Sequence, residues 1–90
     1  VFLILPSQKQ VILKELIKIL MKNGKISSLN DLKNFLDNYK DKNIATQFKQ
    51  DLLFIDLAFY YNYNFEYLPA AYQYLASDFE FLDLFLSLFH

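Results

Sequence analysis

The chain has 90 residues, no cysteine, a single histidine and a formal net charge of −1. That length makes one domain, which buries only about 60–65% of the surface its unfolded chain exposes. The composition excludes disulfides and thiolate metal sites, and His90 alone, at the last position, leaves nucleophile–base catalysis without its usual parts.

Val1–Leu5 is apolar and stops at Pro6, so residues 1–6 read as an extended arm packed on the helices. The arm lacks the basic flank of a secretion signal. Ser7 is placed to cap a helix from about Gln8. Leu13, Leu16, Ile17 and Leu20 recur at i, i+3, i+4 and i+7, which predicts an amphipathic helix with Lys14, Lys18 and Lys22 on its other faces. Asn23-Gly24 ends it, because glycine adopts the left-handed conformation that closes a helix. Ser28 and Asp31 come close to a capping box for a second helix, with Leu29, Leu32, Phe35, Leu36 and Tyr39 as its buried stripe. Residues 7–41 thus read as a basic helical hairpin.

Asp41-Lys42-Asn43 reads as a polar turn, with Thr46 capping a third helix that runs to about Tyr63. Phe48, Leu52, Ile55 and Phe59 make one stripe of it; Leu53, Leu57 and Tyr60 make another. A helix apolar on two sides is expected at the centre, between neighbours. Asn62-Tyr63-Asn64 breaks the pattern, and Pro69 fits the first turn of a fourth helix holding Ala70, Ala71, Tyr74 and Leu75. Ser77-Asp78-Phe79-Glu80 is a capping box for a fifth, with Phe79, Leu82, Phe85, Leu86 and Phe89 on one side. Residues 45–90 form an acidic, aromatic-rich half. No segment alternates in the manner of a strand. The fold class is therefore all-α, with four to five antiparallel helices as stacked helical hairpins or a small bundle.

All nine lysines precede residue 50, and arginine is absent. Six of the ten acids and six of the seven tyrosines follow residue 50. Ten Phe and seven Tyr are more rings than so small an interior holds, so part of them is expected on the surface as a contact site. The candidate partner-binding residues are Asp56, Tyr60, Tyr61, Tyr63, Glu66, Tyr67 and Tyr72. Tyrosine offers apolar area with a polar tip and little entropy to lose, and the acids suit a basic protein surface.

No catalytic, cofactor-binding or metal-binding residue is assigned, and an enzyme is not expected. There is no glycine-rich phosphate loop and no metal-ligand spacing. Asp78, Glu80 and Asp83 are close in sequence, but helix capping and dipole compensation account for them. The longest apolar runs, Leu52–Tyr61 and Phe79–Phe89, fall short of the roughly 20 residues of a membrane span and carry acids. Heavy use of Lys, Asn, Ile, Phe and Tyr, without Arg or Trp, matches AT-rich coding; an intracellular, organellar setting such as the mitochondrion is the expectation.

Leu16-Ile17-Lys18-Ile19-Leu20-Met21-Lys22-Asn23-Gly24-Lys25-Ile26 resembles the first helix and turn of a pentatricopeptide repeat, and Leu29, Leu32 and Leu36 extend the likeness. Phe54, Leu57, Ala58, Tyr61, Ala70 and Tyr74 are similar to the large and small positions of a tetratricopeptide repeat. Ser77 stands where that repeat has alanine, and Phe65 where it has a turn glycine. The resemblance implies stacked helical hairpins that bind another macromolecule on one face.

The functional expectation is a protein–protein interaction module, an accessory or scaffolding subunit of a larger assembly. One alternative is a small immunity or antitoxin-like protein that covers a basic partner with its acidic, tyrosine-rich face. Another is nucleic-acid binding, with the first two helices as a helix-turn-helix that presents Asn30, Lys33, Asn34 and Lys40. The missing arginine, the commonest base reader, weighs against the last.

Overall fold

The computed structural model describes residues 8–61 and 70–89. They form five helices, α1 (Gln8–Lys22), α2 (Leu29–Asp37), α3 (Lys42–Tyr60), α4 (Ala70–Ala76) and α5 (Phe79–Ser87). No strand occurs among the described residues, and the fold is an all-α small bundle. The arm at residues 1–6, the Ser7 cap, the break at Asn62–Asn64 and Pro69 lie outside the described residues.

Helix ends follow local chemistry. Gly24 adopts φ 76, and the amides of Lys25 and Ile26 both donate to the Leu20 carbonyl, at 2.9 and 3.1 Å. This closes α1 where the glycine predicted. The Ser28 hydroxyl caps α2 by accepting from the Asp31 amide at 3.1 Å. The Asp31 carboxylate accepts chiefly from the amide and hydroxyl of Ser27, at 3.0 and 3.1 Å. Those donors hold its carboxyl below the usual carboxylate range.

Two predicted starts are corrected. α3 begins at Lys42, because the Asp41 carboxylate accepts from the Ile44 amide at 3.1 Å. Aspartate outranks threonine as a cap, so the predicted polar turn is the first turn of the helix and Thr46 lies exposed within it. At α5 the cap is Asp78, which accepts from the Phe81 amide at 3.0 Å, while the Ser77 hydroxyl donates back to the Gln73 carbonyl at 2.5 Å.

The core is built from Leu13, Ile17, Leu32, Leu36, Phe48, Ile55, Leu75, Phe81 and their neighbours. α3 packs on α1, α2 and α4, and α5 packs on α1 and α4. The first helix is therefore joined directly to the last. Phe48 sits where these helices meet, with the Phe81 ring edge-on at 6.2 Å and the Tyr74 ring at 6.4 Å.

Two buried stripes are rotated from those predicted, and α3 keeps only one of its two. On α1 the inward residues are Gln10, Leu13, Lys14, Ile17 and Met21, and Leu16 turns outward. On α5 they are Phe81, Leu82 and Phe85, and Phe79 is 74% exposed. The reason is shared: Lys14 and Asp78 lie on those inward stripes and bind each other, so each helix turns to bring its charge inside. On α3 Ala45, Phe48, Leu52, Ile55 and Ala58 are buried, while Leu53, Leu57 and Tyr60 face out. The predicted sandwich is one-sided.

A Cβ added at Gly24 meets no heavy atom within 4 Å, so only the backbone conformation resists substitution there. Gly24→Ala is expected to lower the unfolding free energy by about 1 kcal/mol, and Gly24→Asn by less, in urea denaturation followed by circular dichroism.

Candidate protein-docking face

Leu53, Asp56, Leu57 and Tyr60 recur at i, i+3, i+4 and i+7, which places them along one outer side of α3. Leu53 is 61% and Tyr60 79% exposed. Tyr61 follows directly, and its ring meets that of Tyr60 edge-on at 5.0 Å. Three of the predicted partner-binding residues, Asp56, Tyr60 and Tyr61, are thus brought together. Tyr72 is not part of that row. It stacks on Phe54 with ring centroids 4.3 Å apart and planes parallel within 1°, half-buried between α4 and α3. Tyr63, Glu66 and Tyr67 lie outside the described residues.

A groove that the sequence reading missed adjoins this row. It runs between α2, α3 and α5 with a volume of about 380 Å³. Leu32, Leu36, Leu52 and Phe85 form its floor; Leu29, Leu53 and Phe89 form exposed rims. Among the described residues its charged lining is Lys33, Lys49 and Asp56. Lys49 pairs with Asp37 and holds that carboxyl below the usual range. The legible signal was surplus: α3 and α5 each carried more apolar residues than one contact consumes.

Beneath this face, polar groups anchor α1. Asp51 is 1% exposed. Its carboxylate accepts from Gln10 Nε2 at 2.8 Å, Tyr74 Oη at 2.6 Å and Gln47 Nε2 at 3.1 Å. Burial, then the bond to Asp51, pushes the Tyr74 phenol up from its ordinary value. Three donors and no exposure leave this carboxylate no room for a substrate, and its role is to hold α1, α3 and α4 in register. Tyr74 of α4 thus belongs to the interior cluster.

The lysines of α1 are likewise engaged. Lys14 Nζ lies 2.9 Å from Asp78 and 3.1 Å from the Tyr74 carbonyl. Lys18 Nζ also lies 2.9 Å from Asp78, and Lys22 Nζ 2.6 Å from Glu80. Burial would raise the Asp78 carboxyl, but Lys18, the Phe81 amide and Lys14 overcome it and bring it down to about 2. The bond to Asp78 likewise raises Lys18 against the opposing effect of burial. The basic and acidic halves therefore meet inside the molecule. Among the described residues no buried side-chain nitrogen or oxygen lacks a partner.

The described residues define a small all-α bundle with an exposed apolar and tyrosine face. No protein-family model, curated protein or solved structure matches the chain. Among the described residues no helix is long and apolar enough to cross a membrane.

Removing one member of the buried cluster leaves charge or donors without partners. Tyr74→Phe is expected to cost about 2 kcal/mol and Asp51→Ala about 3–5 kcal/mol in chemical denaturation, with the second leaving a largely unfolded chain.

Asp78 gives a pH signature. Its folded value lies below its unfolded value, so its stabilisation is complete above the ordinary carboxylate range and is lost as pH falls toward about 2. Asp78→Asn should remove about 2 kcal/mol at pH 7 and flatten the decline in melting temperature between about pH 5 and pH 2.

Proposed function

We propose that this chain is a protein–protein interaction module, an accessory or scaffolding subunit that joins a larger assembly through the outer side of α3. One observation carries the reading: the exposed row Leu53, Leu57 and Tyr60 runs into the apolar groove between α2, α3 and α5, with Leu53 common to both. Contiguous exposed apolar surface of this kind marks a contact site. The groove offers a place for a partner's apolar side chain, and Tyr60 and Tyr61 are the residue type that anchors such contacts. Asp56 on the rim suits a basic group of the partner.

Against the nucleic-acid alternative, Lys14, Lys18 and Lys22 are committed to Asp78 and Glu80 and so less available to phosphates. The immunity-type alternative needs a strongly acidic face, and among the described residues this groove is lined by one carboxylate, Asp56, beside Lys33 and Lys49. The composition points to an organellar assembly as the setting.

A photo-crosslinking residue at Leu57 or Tyr60, introduced in the native cells, should trap discrete protein adducts that the same residue at exposed Asn43 does not give. Leu57→Asp should abolish the Tyr60 adducts and leave the circular dichroism spectrum unchanged. Identical adducts from all three positions, or none from α3, would remove the proposal.

A further inference from the structure

A second open surface begins beside the first residues of α1. α1 packs chiefly on α5 and α3, and α2 on α3. Between α1 and α2 a cleft of about 640 Å³ remains, with Leu16, Leu20, Ile26, Phe35 and Tyr39 among its walls. A smaller cavity, lined by Lys9, Ile12, Tyr39, Asp41 and Ile44, shares Tyr39 and Asp41 with the cleft and carries it back to the first turn of α1. Ile12 is 56% exposed, and Leu16, one turn on, is also open to solvent. Lys25 and Lys40 on the cleft walls stand beside Asp31 and Asp41, so charge favours neither an acidic nor a basic occupant.

Position and apolar character favour one segment of this chain. The residues directly before Gln8 read Val1-Phe2-Leu3-Ile4-Leu5-Pro6-Ser7, with five apolar side chains and no charged one. Gln8 starts α1 and Lys9 lines the smaller cavity, so this segment joins the helix at the cavity's edge. Proline and serine suit a turn. Five extended residues span about 17 Å, whereas Gln8 to Leu16 covers about 12 Å of α1. A chain turned back at Pro6-Ser7 therefore reaches the cavity beside Ile12 and the cleft beside Leu16. The outer side of α3 is placed differently. Asp51 faces α1 through its bond to Gln10. Leu53, two residues on, lies about 200° further round the helix, on the side away from α1. So short a tether holds the segment near the cleft at an effective concentration in the millimolar range, which a second copy or a separate apolar partner has to exceed.

We infer that the apolar segment Val1–Leu5 turns back along α1 and occupies the cleft between α1 and α2, closing this surface within the molecule. The inference does not depend on what the outer side of α3 binds.

The test uses the absence of cysteine from the chain. Leu3→Cys is paired in turn with Leu16→Cys in the cleft and with Leu53→Cys on α3, and Ile4→Cys replaces Leu3→Cys in a parallel set because neighbouring extended residues point opposite ways. The disulfide equilibrium of each pair with glutathione gives its effective concentration. For at least one arm position the Leu16 pair should exceed the Leu53 pair about tenfold or more, and Phe2→Asp with Leu5→Asp should erase the difference. Circular dichroism checks each fold. In the unaltered chain, nuclear Overhauser contacts should join the Phe2 ring to the side chains of Ile12, Leu16 or Tyr39. Equal values for the two pairs at both arm positions, a higher value for Leu53, or indifference to the aspartates overturns the inference. So does a disulfide that forms mainly between two copies, or the absence of those Phe2 contacts.

Discussion

The contact between Lys14 and Asp78 is the constraint on which the rest of the bundle depends. Two charges from opposite halves of the chain lie on stripes that also bury Leu13, Ile17, Phe81 and Phe85. Neither can enter the interior alone, because an unpaired buried charge costs several kcal/mol. Together they fix both the rotation of α1 and α5 and the register between them. The Gln10–Asp51–Tyr74 cluster repeats this logic one turn earlier on the same face of α1. Such pairs add little net stability over apolar residues of similar volume; their contribution is to exclude other packings. In a domain with seventeen aromatic rings and few fixed turns, exclusion matters, since Phe and Leu alone tolerate many arrangements.

The opposite charges of the two halves thus have an internal purpose before any external one. Sequence reading assigned them to partner choice, because charge counting is blind to which residues meet. Only the folded chain separates lysines that close α1 onto α5 from those, such as Lys25 and Lys40, that face solvent. The bundle is left with two exposed apolar surfaces, each lined by charges of both signs. One adjoins Tyr60 and Asp56, the other Lys25 and Lys40.

Local features were the most legible. Gly24 and Ser28 marked their boundaries correctly, since a positive φ and a capping hydroxyl depend on a few neighbouring atoms. The all-α class followed from period alone. Stripes were less legible: periodicity treats every lysine as outward, and so gave Leu16 the buried place held by Lys14. The caps at Asp41 and Asp78 were displaced because Thr46 and Ser77 carry the same chemistry a few positions away. Of the candidate face, Asp56, Tyr60 and Tyr61 could be read from spacing on α3. The groove beside them joins three helices, and no stretch of sequence contains it. Tyr72 and Tyr74 resemble their neighbours in sequence, yet stacking on Phe54 and the bond to Asp51 draw them inward.

The burial of Lys14 also divides the amines of this protein into two chemical populations. Lys25 and Lys40 present their ammonium groups to solvent, where an acylating enzyme or reagent reaches them in the native state. Lys14 is held against Asp78 and the Tyr74 carbonyl, so a reagent reaches it only when α1 parts from α5. Its labelling rate is a built-in clock for that opening.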